Sequence, residues 1–191
     1  MRVFRENRAL STVVTTLIIL VVSVLLAGVV TMYAINITST RTQQEDLRVS
    51  KQVVWVNATG DWAYAAFTID NVGGRDVVID KIQVRGVEVD WSDVYYERVS
   101  SAFTASLIAP DQNVTNENWD SFTYASGEDP GDFDQADGDI PLASGETLII
   151  YIWEPDSITA NDIGTTVGIT VFTENAQYYV ECNVETSEEA S

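Results

Sequence analysis

RENRALSTVVTTLIILVVSVLLAGVVTMYAINITSTR, residues 5–41, decides how this 191-residue chain is read. Arg2, Arg5 and Arg8 stand just ahead of an uncharged run of 32 residues, Ala9 to Thr40. As a helix the run would be about 48 Å long, against a bilayer hydrocarbon core of about 30 Å. A secretory signal has an apolar stretch of only about 7–15 residues, ending in a small-residue cleavage site that TMYAINITS lacks. Membrane anchoring alone leaves part of this length unused.

At about 100° per residue, Thr12, Thr16, Ser23 and Ala27 share an arc of roughly 60° on that helix. Small side chains on one face let helices approach closely once they are out of water. Beyond Thr40, RTQQEDLRVSKQ contains helix formers and neither proline nor glycine, so the helix is expected over 9–51. By the positive-inside rule, residues 1–8 stay cytoplasmic and everything after Arg41 lies outside. Three N-x-S/T sequons, at Asn36, Asn57 and Asn113, are N-glycosylation candidates that agree with this course.

Composition narrows the chemistry. Histidine is absent and Cys182 is the single cysteine. That excludes Ser-His and Cys-His nucleophile pairs, an intrachain disulfide and a cysteine-built zinc cluster. An extracellular enzyme would have to work with carboxylates alone, and Glu97, Asp111 and Glu154 could be suggested, with nothing beyond residue type to recommend them. The formal charge is −19, and four of the ten cations, Arg2, Arg5, Arg8 and Arg41, flank the apolar run. The rest of the chain therefore repels nucleic-acid phosphates and anionic headgroups. Two lysines against eight arginines on so acidic a chain suit a high-salt habitat, and equally an exposed coat in sea water.

From residue 52 the periodicity turns to alternation. Ala63, Ala65, Phe67 and Ile69 share one face of a strand, as do Leu148, Ile150 and Ile152, then Val167, Ile169 and Val171, then Tyr178, Val180, Cys182 and Val184. With QVVWVN, DVVIDKIQV and VEVDW, at least seven half-buried strands are expected, separated by turns such as NVGGRD and LASGE. The expected class is α+β: a long apolar helix followed by an all-β, immunoglobulin-like antiparallel sandwich over 52–191. Cys182 reads as a small buried hydrophobe. Residues 109–145 are acidic and full of breakers, which predicts a surface insertion. Within it Asp132, Asp134, Asp137 and Asp139 are spaced as hard oxygen ligands for Ca2+, although the spacing is not that of an EF-hand and a solvated acidic loop is the simpler reading.

This order of parts, a basic leader ending Arg8-Ala9-Leu10-Ser11, a long uncharged helix and an all-β domain, resembles the archaeal type IV pilin and archaellin superfamily. The stretch TIDNVGGRDVVIDKIQVRG also looks like a strand-turn-strand of its head domains. The resemblance implies a class III signal peptide, residues 1–8, removed between Arg8 and Ala9 by a prepilin peptidase. It implies a precursor in the cytoplasmic membrane with its N-terminus inside. The helix then bundles with other copies into a helical homopolymer, raised by an assembly ATPase and its membrane platform into an extracellular filament, with adhesion as its use. Bacterial pilins carry glutamate where this chain has Val13, and archaellins begin Gly-Ile-Gly-Thr-Leu where this one reads Ala9-Leu-Ser-Thr-Val13. A pilus is thus favoured over an archaellin of a motility filament. The alternative outside this class is a single-pass membrane protein whose immunoglobulin-like domain binds an extracellular ligand. Seventeen Val, Leu, Ile and Met residues lie in the run, and exposing them to water would cost on the order of 25–50 kcal/mol.

Overall fold

In the computed structural model a single helix, α1, spans Val3–Thr42. The structure describes residues 3–42, 44–57, 59, 62–100, 103–110, 119–127 and 129–187. Valine, isoleucine and threonine lose side-chain freedom in helices, yet they fill α1. In apolar surroundings a helix satisfies every backbone N–H and C=O within one segment, which outweighs that loss. Every residue from Leu10 to Ser39 is exposed, and the span is long and apolar enough to cross a membrane, with a mean hydropathy of 2.9.

The helix ends at Thr42 and does not continue to 51. Strand β1 spans Leu47–Asn57 instead, and the second compact unit begins at Gln44 rather than 52. LRVSKQVVWVN pairs with strands on both sides and buries Leu47, Val54, Trp55 and Val56. Tertiary pairing here overrides the local preference for helix.

The remaining strands are β2 (Trp62–Asn71), β3 (Val77–Val84), β4 (Val87–Glu88), β5 (Val94–Val99), β6 (Asp134–Gln135), β7 (Ile140–Leu142), β8 (Thr147–Trp153), β9 (Thr166–Thr173) and β10 (Gln177–Thr186). They form one continuous ribbon in the order β4-β3-β9-β10-β1-β2-β8-β5-β6, with β7 also on β3. The ribbon curls into a sandwich, so the chain is α+β, an apolar helix followed by a sheet-rich domain. Pairing among the described strands is antiparallel except that Val54–Val56 of β1 run parallel to Val184–Thr186 of β10. A bulge at Lys51, whose φ of 55° is left-handed, shifts the register between Ser50 and Val53 ahead of that pairing.

The inner core is the one the alternation marks: Ala63, Ala65, Phe67 and Ile69 meet Leu148, Ile150 and Ile152 from their own side and Val167, Ile169 and Val171 from the other. The opposite faces of β2 and β8 are buried as well, so these strands are not half-buried. Tyr64, Ala66, Ile149 and Tyr151 form a second core with Trp55 and Tyr95, covered by Trp119, Phe122, Tyr124 and Phe133. Those four come from residues 109–145, which accordingly are not merely a solvated surface insertion. Trp119 stacks on Tyr95 at 4.4 Å and Phe122 meets Tyr151 edge-on at 5.3 Å. The buried Tyr151 hydroxyl donates to the Ile108 carbonyl at 3.0 Å, and burial holds that phenol well above its usual range.

Candidate functional site

Arg8 and Ala9, the expected cleavage point, fall inside continuous α1. Thr12, Thr16, Ser23 and Ala27 follow the same helix and are exposed along it. The hydroxyls turn inward to the helix backbone: Thr16 Oγ1 donates to the Val13 carbonyl at 2.9 Å and Ser23 Oγ to Ile19 at 2.6 Å. Thr15, Thr31 and Thr38 do the same, to Ser11, Ala27 and Ala34. Such bonding lets a hydroxyl sit in apolar surroundings without an unmet donor, where an unbonded one costs roughly 1–3 kcal/mol. Apolar residues on all sides mark a helix meant to be enclosed, by lipid or by other helices.

The three sequons fare differently. Asn36 lies exposed in α1. Asn57 is 3% exposed, with its Oδ1 accepting from the Thr59 amide at 2.9 Å, so in the folded domain this sequon is not a surface one. Asn113 lies outside the described residues.

Asp132, Asp134, Asp137 and Asp139 are all exposed, and Asp134 belongs to β6 opposite Tyr96. Among the described residues no group of three acidic or sulfur side chains is gathered closely enough to hold a metal ion. An acidic hollow of about 350 Å3 is lined instead by Glu88, Asp90, Asp93, Glu154 and Asp156. Partial burial, with Asp90 and Asp156 alongside, pushes the Asp93 carboxyl up, whereas hydrogen bonds from Ser92 pull Asp90 down. The periodicity could not have found this hollow, because its carboxylates come from two segments far apart in sequence, 88–93 and 154–156. Glu97 pairs with Ile149 within β5, whereas Glu154 follows the end of β8, five residues further on, so at about 3.3 Å per residue their backbones are set some 16 Å apart along the sheet. Asp111 lies outside the described residues. Cys182 is partly buried, and burial together with the Glu185 charge pushes its thiol up to about 11, which keeps it an unreactive apolar group.

From residue 44 onward 28 carboxylates face six cations, a formal charge of −22, and the only salt bridge among the described residues is Arg85–Asp162 at 2.6 Å. Fold and surface define a protein with one exposed apolar helix and a strongly acidic β-sandwich. No protein-family model matches the chain, and no curated protein matches it in sequence.

Proposed function

We propose that this chain is a structural subunit that polymerises through α1 into an archaeal type IV pilus-like surface filament, its acidic domain facing outward, used for adhesion. The observation that carries this reading is α1 itself: an uncharged stretch taller than a bilayer core, apolar on every side, with hydroxyls bonded within the helix. A bundle of copies can cover that full height; a bilayer covers about 30 Å of it. The leader ending at Arg8 is removed, leaving Ala9 as the N-terminus and the helix in the cytoplasmic membrane until assembly.

Electron microscopy of purified surface appendages, with N-terminal sequencing of the subunit, tests the proposal. Filaments whose subunit begins ALSTV are the expected result. Native monomers in the envelope that retain Met1 would overturn it in favour of a single-pass anchor carrying a binding domain, which the adequacy of Leu10–Ser39 as one membrane span favours.

A further inference from the structure

The first residues of the β-sandwich, Gln44–Asp46, have no regular structure, yet two separate turns hold them. From the β2–β3 turn, the amides of Val72 and Gly73 both donate to the Asp46 carbonyl at 3.0 Å, and the Gly74 amide donates to the Gln44 carbonyl at 3.3 Å. From the β9–β10 turn, the Glu45 carboxylate accepts from the Thr173 hydroxyl and, at 3.4 Å, from Asn175 Nδ2. Gly73 is required where it stands, since a Cβ there would lie 2.7 Å from the Asp46 nitrogen and 2.8 Å from the Gln44 oxygen. The β2–β3 turn is itself braced: Ser144 Oγ donates to the Gly73 carbonyl at 2.6 Å, and the Gly73 amide also reaches Asn71 Oδ1 at 3.1 Å.

Gln43 alone separates the last residue of α1 from this network in sequence. A pull applied to the domain while the helix is held therefore arrives at residue 44, three residues ahead of the β1–β2 ladder, which begins at Leu47. Ladders fail from their ends, one bond at a time, because an end residue has few neighbours to replace what it loses. We propose that the two turns form an anchoring clamp that stops β1 from peeling off when the domain is pulled against its helix. The clamp presupposes only that the helix is the fixed end, whether in lipid or in a filament.

The test uses the full chain in detergent micelles, followed by hydrogen exchange and by single-molecule pulling from the N-terminus against the domain. Gly73→Ala and Glu45→Ala should each speed exchange of the Val72, Gly73 and Gly74 amides and shorten the lifetime under load roughly tenfold, the equivalent of one or two backbone hydrogen bonds. The Ala66 amide, in the middle of the sheet, should be unaffected. If Gly73→Ala unfolds the whole domain, Glu45→Ala decides. Fast exchange of those amides in the native chain, or an unchanged lifetime under load in the folded variants, overturns the proposal. The measurement is made on monomers, so failure to find filaments would sink the filament reading and leave the clamp standing.

Discussion

Ser23→Leu separates a helix that must be packed from one that must only be dissolved in lipid. Ser23 is exposed on α1 and its hydroxyl already donates to the Ile19 carbonyl at 2.6 Å. In a membrane, leucine is favoured by about 0.3–0.6 kcal/mol at the helix centre, so insertion of the variant should match or exceed that of the native chain. In a close-packed bundle the added carbons have no room, and overpacking costs about 1–3 kcal/mol per site. Each added subunit meets that cost again, so the subunit concentration needed for growth should rise roughly 5- to 150-fold. The assay compares, for one expression level, the membrane-inserted pool with the filaments sheared from cells, counted by electron microscopy. Ser23→Ala is the control: it removes a hydroxyl bonded only within its own helix among the contacts seen and keeps the side chain small, so its filaments should match the native ones. Ser23→Leu filaments equal to native in number and length would refute the packed face.

Trp119→Ala should destabilise the sandwich by about 3–5 kcal/mol, since the indole is 3% exposed and touches Tyr95, Phe122, Phe133 and Tyr151. Thermal melting followed by near-ultraviolet circular dichroism measures it, and a loss within noise would return residues 109–145 to the status of a loose loop. Asp93, whose carboxyl is raised in the folded state, holds its proton more tightly folded than unfolded, so stability falls as pH rises through the range above the ordinary carboxylate value. Asp93→Asn should therefore raise the melting temperature at neutral pH, with the gain disappearing in acid; a pH-independent difference would contradict this origin. With a charge of −22 on each domain, lowering ionic strength from about 0.15 M to 0.01 M lengthens the Debye screening distance from about 8 to 30 Å, and filaments should fragment. Sodium and magnesium at equal ionic strength should restore them alike if screening is the cause, whereas restoration by calcium alone would point to a specific site such as Asp132–Asp139.

The inner face of the sandwich was legible in the sequence because burial on one side of a strand writes itself as alternation. Ala63 to Ile69 and Val167 to Val171 are the clearest cases. The second core was not, because strands covered on both faces show no period: in TLIIYIW every residue but the last is buried. Its cover was hidden by averaging, since Trp119, Phe122, Tyr124 and Phe133 are diluted by acids, glycines and prolines. Four large aromatics within 15 residues were nevertheless more than a solvated loop would carry. VYYERV, which is β5, likewise carries no alternation of apolar and polar residues. The end of the helix was misplaced because RTQQEDLRVSKQ contains no stop signal; what ends α1 is the pairing of Leu47 onward with β2, a fact no local pattern records. The Asn57 sequon failed as a surface marker because the triplet says nothing about burial, and Asn57 closes a turn within the fold.

The helix hydroxyls connect these observations to assembly. In water, their bonds to the carbonyls of Ser11, Val13, Ile19, Ala27 and Ala34 would add little, because the solvent offers equal partners. In lipid or in a bundle no such partner exists, and the same bonds serve in both places. On the filament reading, a subunit leaving the membrane therefore has no hydrogen bond to exchange along these positions, and the transfer changes only which apolar atoms surround the helix. The net charge of the outer domains opposes it, since each copy brings a further −22 of like charge. Cohesion then has to come from close contact between helices, which is why a change of two heavy atoms at Ser23 is expected to outweigh any single change on the far larger domain surface.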